Sequence, residues 1–395
     1  MHDVVSLGRM PPANALPAAP GAGEVRYPLE VVMCGACSLL QLTETIPPGE
    51  LFVEYAYFSS RSAPMVEHAR LLVAGVIAER ALGPGDLVVE IASNDGYLLQ
   101  HYRDRSVPVL GIDPAENVVE VAVAAGIPTR AAFFTRSLAE ELRRGGTVAD
   151  VVHANNVLAH VPDVNDFVAG VRHLLSDDGV FVVETPYVRD LIEKLEFDTI
   201  YHEHVFYYSL HALAGLFERN GLFVADVERI PIHGGSLRVR AVPAGAGVRP
   251  ADRVRDLLDK EKTLGMDTPA FYGDFDRRVG ELLEELRSFL AERRANGRRI
   301  AGYGAAAKGS VLLNALGAGT ETIEFVVDDT PFKQGRFMPG VGIPIVEPRV
   351  LLEVMPDDVL ILAWNFADAI VAKEHEYRAR GGTFLLPLPT PRVLP

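Results

Sequence analysis

Residues 201–204, Tyr-His-Glu-His, set a phenol, a carboxyl and two imidazoles in consecutive positions, all groups that can carry a proton. An unperturbed imidazole titrates close to neutral pH, so His204 is the candidate base. Tyr201 and Glu203 would hold substrate and base in place, with His202 as a fourth member. Zinc is the competing use, but HExxH needs histidines four apart on one helical face, and these stand two apart. The bland alternative is a polar helix edge beside the packing residues Phe206, Tyr207 and Tyr208. A second group lies in LVVEIASNDGYLL, where a β-branched run containing Glu90 gives way to Ala92, Ser93, Asn94, Asp95 and Gly96, residues of turns and helix caps. In an open α/β sheet the ligand crevice lies at such strand ends, and Asp113, closing the next strand VPVLGID, is placed to accept hydrogen bonds from ribose hydroxyls. Read blandly, this is an ordinary βα turn and Asp113 is a helix cap.

Four further groups could meet a ligand. GYGAAAKG (302–309) fits a GxGxxA turn, with Gly302, Gly304 and the cation Lys308 suited to a diphosphate and Asp328 at the distance of a ribose contact; alone it also suits NAD, or an empty structural module. YAYFSSRS (55–62) carries Tyr55, Tyr57, Ser59, Ser60 and Ser62, which form either an ordinary strand and turn or a mobile connector closing over a sugar. HGGSLRV (233–239) is a hairpin turn, or a loop where His233, Ser236 and Arg238 meet a phosphate. Cys34 and Cys37 make at most half a zinc site by spacing, and His2 is the only histidine before His68, so two reduced thiols in a small knuckle is the reading from local sequence.

The elements that would position these groups follow from pattern. Strands and helices alternate from Leu87 to about Pro186, the mark of a parallel sheet covered on both faces, with a lead-in helix over Met65–Arg80. ADVVHANNV ends in Asn155 and Asn156, with His160 just beyond, and GVFVVETP ends in Glu184 and Thr185. The stretch from Arg189 to Gly221 is predicted mostly helical, and LFVADVERI and GGSLRVRAV should add antiparallel edge strands. Two charged amphipathic helices over 251–297 lead to a second alternating region from Arg299, which is predicted to be a smaller Rossmann-like domain. The division is therefore 1–63, a small module with one CxxC; 64–248, the main α/β domain; and 249–395, a helical connector and the second α/β domain.

Composition sets outer bounds. With 53 acidic against 38 basic residues the net charge is −15, which argues against nucleic-acid or anionic-membrane partners. No apolar stretch is long enough for a transmembrane helix and no secretory signal is evident, so the cytoplasm is the expected location. Two cysteines exclude a disulfide framework.

The order of the pieces carries a resemblance. EIASNDGYLL, GIDPAENV and ANNVLAHVPD resemble the class I methyltransferase fold, which binds S-adenosylmethionine (SAM). Its first loop reads acidic residue, x, Gly, x, Gly, x, Gly; here Ala92 and Asn94 replace two glycines and Gly96 remains. With CxxCxLLQL, LFVEYAYFSSRS, DTIYHEHVFYYSL, HGGSLRV and GYGAAAKG, nearly the whole chain resembles the sugar C-methyltransferases acting on TDP-linked keto-deoxysugars, such as the 3-C-methyltransferase of the kijanose pathway. The resemblance implies deoxysugar biosynthesis, with SAM held by Glu90, Ala92, Ser93, Asn94, Gly96, Asp113, Asn155, Asn156 and His160. It implies a nucleotide sugar met by Tyr55, Tyr57, Ser59, His233, Arg238, Gly302, Gly304 and Lys308, and methylation beside a 4-ketone through an enolate. It also implies an N-terminal zinc module, but family members usually carry an earlier CxxC pair that this sequence lacks, which leaves zinc doubtful. The alternatives are an NAD-dependent nucleotide-sugar oxidoreductase using GYGAAAKG and a non-catalytic carbohydrate-binding protein.

Overall fold

The computed structural model describes residues 1–21, 23–51 and 58–395. The chain forms two compact units, neither continuous in sequence. The first comprises Met1–Thr45, Val188–Val205 and Thr268–Pro395; the second comprises Ile46–Tyr187 and Phe206–Asp267.

The second unit is built on a seven-stranded sheet in the spatial order Leu222–Ile230, Ser236–Pro243, Leu175–Pro186, Ala149–Asn155, Val88–Ile91, Val109–Asp113, Thr129–Ala131. The last five run parallel, and Ser236–Pro243 runs antiparallel to both its neighbours. All four residues of Val88–Ile91 are buried, as a central strand covered on both faces requires. The two late β-rich runs form the predicted hairpin, with the second inserted between the first and the parallel strands. The lead-in helix spans Ala63–Arg80 and starts with a proline in its first turn, where the missing N–H is not needed. Its buried face (Met65, Ala69, Leu72, Val73, Val76) packs with Tyr97, Leu98 and Tyr102 in one apolar cluster.

The first unit holds a six-stranded sheet in the order Ile345–Val346, Val326–Val327, Ile300–Tyr303, Asp358–Ile361, Thr383–Leu386, Arg392–Val393, parallel except for the last pair. Tyr303, Phe325, Leu351, Tyr377 and Phe384 form its core. Tyr27–Met33 and Leu40–Leu42 form two antiparallel strands on either side of the CxxC. The preceding Pro- and Ala-rich segment adds a strand unforeseen in the sequence, His2–Met10, antiparallel to Tyr27–Met33. So small a module has little core of its own. Its chain is tied to the rest of this unit: Ser6 N–H donates to Asp276 Oδ1 at 3.1 Å and Ser310 Oγ donates to the Ala13 carbonyl at 2.9 Å.

The stretch from Arg189 to Gly221 departs from the helical expectation. Only Val188–Glu193 and Leu210–Arg219 are α-helical, with a 3₁₀ turn at Phe197–Thr199 and a short strand at Phe206–Tyr207. Leu195 has φ +55°, which stops the first helix. The run DTIYHEHVFYYS that follows is mostly β-branched, aromatic and imidazole side chains of poor helix propensity. Ser209 starts the next helix by accepting the Ala212 N–H at 3.1 Å. Tyr201–His204 consequently sit on a turn rather than a helix edge.

Candidate active site

In the second unit the turn after Val88–Ile91 has an unusual backbone. Ala92, Asn94 and Gly96 all adopt positive φ (+54°, +51° and +81°). These are the positions where the SAM-fold loop carries its three glycines, so the backbone path is kept although two side chains replace hydrogen. An L-residue held there costs roughly 1–2 kcal/mol, less for asparagine. Asn94 is anchored: its Oδ1 accepts the Ser59 N–H and its own N–H donates to Asp113 Oδ2, both at 2.9 Å. Asp113 Oδ1 accepts the Ala115 N–H at 2.9 Å. Ala92 has no such compensation in its methyl group, so Ala92→Gly should raise stability by about 0.5–1 kcal/mol, net of glycine's greater unfolded-state freedom. A denaturant midpoint at or below that of the wild type would show that the strain is relieved elsewhere.

Buried polar atoms surround this turn. Among the described residues, Glu90 Oε2, Ser93 Oγ and the Oδ1 atoms of Asn155 and Asn156 are shielded from solvent with no hydrogen-bond partner. Leaving each such group unpaired costs on the order of 1–3 kcal/mol. Asn156 also has φ +57°, and His160 ends the 3₁₀ turn Leu158–His160 that follows. Burial, reinforced by the charges of Asp113 and Asp95, pushes the Glu90 carboxyl well above its usual range. Burial also raises Asp113, against the lowering effect of the Ala115 and Asn94 N–H groups. Unpaired acceptors at the carboxyl ends of neighbouring parallel strands suit a polar ligand with amine and hydroxyl donors, and the residues present therefore fit SAM.

The candidates for substrate contact separate. Ser59 is buried against Asn94. Arg238 is engaged within the second unit: its Nε donates to Glu184 Oε1 at 2.7 Å and its Nη1 to Glu228 Oε2 at 3.3 Å. His68, which sequence reasoning missed, completes that network at 2.8 Å from Glu184 Oε2. Burial raises Glu184, but His68 and Arg238 hold it below the usual carboxylate range. His233 lies in the turn Ile232–Gly234 with φ +55°. Tyr55 and Tyr57 lie outside the described residues.

Tyr201–His204 belong to the first unit. His204 Nδ1 lies 2.9 Å from the Thr199 carbonyl and its Nε2 lies 2.8 Å from the Tyr201 hydroxyl. A carbonyl can only accept, so Nδ1 carries the hydrogen and a neutral ring has its lone pair on Nε2, where the phenol donates. The two rings stack with centroids 3.9 Å apart. This is the arrangement a histidine base has when a third group orients it. Glu203 is buried, and burial lifts its carboxyl to about 7 despite the hydrogen bond from Asn14 Nδ2 at 2.7 Å. His202 is buried edge-on to Tyr27; burial lowers its basicity, partly offset by hydrogen bonds to the Tyr27 and Pro28 backbone.

The glycine turn at 302–309 lies in the same unit. A Cβ on Gly304 would come within 2.8 Å of the Ala363 side chain, and one on Gly309 within 2.9 Å of Leu362, so internal packing already demands these glycines. Asp328 accepts the N–H groups of Ala305 and Thr330, each at 2.8 Å. Lys308 Nζ donates to Asn365 Oδ1 at 2.9 Å and lies 4.4 Å from the centre of the Trp364 ring. Asn14, Glu196, Asp198 and Trp364 escaped the sequence reading; the one signal was that Trp364 is the chain's single tryptophan, just past a strand.

Cys34 and Cys37 are two thiols, and Gly35 between them has its α-carbon face covered by the His2 ring. Among the described residues no group of three or more His, Cys, Asp or Glu side chains could hold a metal ion. A structural zinc needs four ligands, so the residues present do not fit one.

The sheet order, with Ser236–Pro243 as the one antiparallel strand next to an edge, and the loop of three positive-φ residues define a class I SAM methyltransferase fold. Family models agree: one for a methyltransferase domain matches residues 65–227, one for the C-methyltransferase C-terminal domain matches 231–389, and one for a domain proposed to bind zinc matches 1–52. C-methyltransferase NovU of Streptomyces niveus is 41% identical over 396 residues, covering 99% of this chain and 94% of that protein. The chain belongs to the C-methyltransferase family; it is an enzyme that uses SAM, which selects the methyltransferase reading over the oxidoreductase and the binding protein. Solved structures with partial likeness include the magnesium protoporphyrin IX methyltransferase of Synechocystis PCC 6803 with bound SAM (16% identity, TM-score 0.35, 45% of this chain and 79% of that one). Another is a SAM-dependent methyltransferase of Clostridium acetobutylicum ATCC 824 (12% identity, TM-score 0.37, 46% and 92%). No described helix is long and apolar enough to cross a membrane.

Proposed function

We propose that this C-methyltransferase acts on a TDP-linked 4-keto deoxysugar in the cytoplasm, methylating the carbon beside the ketone through an enolate. The observation that carries the reading is the hydrogen-bonded series Thr199 carbonyl, His204, Tyr201 hydroxyl. His204 Nε2 removes the proton next to the ketone, and the Thr199 carbonyl stabilises the imidazolium that results. Once Nε2 holds the proton, the Tyr201 hydroxyl no longer donates to it and instead offers its hydrogen bond to the developing enolate oxygen, keeping its own proton. Glu203, which burial lifts to about 7, is in its protonated form a second donor of the kind that stabilises such an oxygen. His202 supports the turn. SAM, when bound, supplies an electrophilic methyl group, and it would be held by Glu90, Ala92, Ser93, Asn94, Gly96, Asp113, Asn155, Asn156 and His160.

The division into 1–63, 64–248 and 249–395 is kept as a proposal for the three modules. Sugar contact through Tyr55, Tyr57, Ser59 and His233 is likewise proposed. Nucleotide contact through Gly302, Gly304, Lys308 and Arg238 has weaker physical support, because packing and ion pairing already account for those four residues.

Calorimetry on Asp113→Ala tests the cofactor half of the proposal. Loss of a charged acceptor should weaken SAM and its demethylated product alike by roughly 1.5–3 kcal/mol. Unchanged affinity would move the cofactor away from this turn.

A further inference from the structure

The turn that orients His204 is itself held from outside its own segment. Phe197–Thr199 is a single 3₁₀ turn whose last carbonyl accepts the His204 Nδ1 hydrogen. So short an element has no stability of its own. Within the turn, the Thr199 N–H and Oγ both donate to the Glu196 carbonyl, at 3.0 and 2.7 Å. Asp198, fully buried, turns the other way: its Oδ2 accepts the indole Nε1 hydrogen of Trp364 at 2.7 Å. Trp364 sits in the 3₁₀ turn directly after strand Asp358–Ile361 of the six-stranded sheet. Its ring face carries Lys308 Nζ, which Asn365 holds from the side. Helix Ala307–Leu316 packs on the Phe197–Thr199 turn. Asp198 Oδ1 has no hydrogen-bond partner among the described residues, so the Trp364 bond is the specific link between this carboxyl and the sheet.

We propose that Trp364, acting through Asp198, is a positioning residue for the base: its indole N–H fixes the Phe197–Thr199 turn and thereby the Thr199 carbonyl that selects the His204 tautomer. Lys308 serves the same end by bracing the indole ring. The cation of GYGAAAKG is thus already engaged inside its own unit, by the Trp364 ring and Asn365. The inference rests on the reading of His204 as the base.

Spectra of the full chain labelled with ¹⁵N-histidine distinguish the two tautomers, and the signal absent from His204→Asn assigns the residue. The wild type should show His204 with its hydrogen on Nδ1; a hydrogen on Nε2 overturns the proposal without any variant. Trp364→Phe keeps the ring and removes the donor, and Asp198→Ala removes the acceptor, so each deletes the same bond and either suffices if the other fails to fold. Each should shift His204 toward the Nε2–H form and lower kcat by on the order of 10- to 10²-fold with little change in KM, as misplacement of a catalytic group does. A folded variant in which tautomer and kcat do not move together overturns the positioning role. A near-normal kcat in His204→Asn overturns the base assignment instead.

Discussion

His204→Asn should lower kcat by on the order of 10²-fold or more while SAM binding is retained. The asparagine amide can still donate to the Thr199 carbonyl, which takes the Nδ1 hydrogen at 2.9 Å in the wild type, so the turn keeps its tie. What is lost is the lone pair on Nε2. The other groups in the run offer less: Glu203, which burial lifts to about 7, still carries its proton in about half of the molecules near neutrality and already accepts the Asn14 Nδ2 hydrogen, and burial lowers the basicity of His202. Steady-state kinetics with a 4-keto TDP-sugar, alongside calorimetry with SAM, make the measurement. A folded variant with near-normal kcat would leave Tyr201 or Glu203 as the base.

Glu203→Gln should flatten the pH dependence of stability. The folded carboxyl titrates at about 7 against an ordinary value of 4.5, so between these values the native state binds more protons than the unfolded chain. Stability from this group is therefore intact below about 4.5, falls as pH rises, and levels off above about 7. A shift of that size corresponds to roughly 3 kcal/mol. Glu196 and Asp198, raised by burial to about 7 and about 6, act in the same direction and persist in the variant. Urea denaturation at a series of pH values from 5 to 8 should thus show the variant losing less stability than the wild type, by up to that amount. Parallel curves would mean that Glu203 ionises without penalty.

The parallel strands were legible because each is a short β-branched run ending in turn residues, and Val88–Ile91 and Asp113 lie where that pattern puts them. The positive φ at Ala92 and Asn94 was not legible, since neither residue type announces it as glycine would; the resemblance marked only that both stand where the fold's loop carries glycine. The turn at Tyr201–His204 was misread as helix. Its apolar neighbours fall at spacings a helix could use, and what overrides that pattern is the left-handed Leu195 together with bonds from distant residues, such as Leu42 N–H to the Val205 carbonyl at 2.9 Å. Asn14, Asp198 and Trp364 could not be found at all by spacing. Their partners lie 189 and 166 positions away, where no local period reaches.

The three-part make-up of the first unit has a consequence for the order of synthesis. Translation completes Ile46–Asp267 before Thr268 and the strands after it exist, so the second unit can close on the ribosome while the first cannot. Strands Tyr27–Met33 and Leu40–Leu42 emerge early, with apolar side chains such as Val31, Met33 and Leu40 that end up buried. At ~5–20 residues per second they wait on the order of ten to fifty seconds before the third stretch of their unit begins to appear. The segment Val188–Val205, which carries His204, shares a shorter wait. A nascent chain of this protein therefore presents its earliest hydrophobic hairpin to chaperones until its last third has been made.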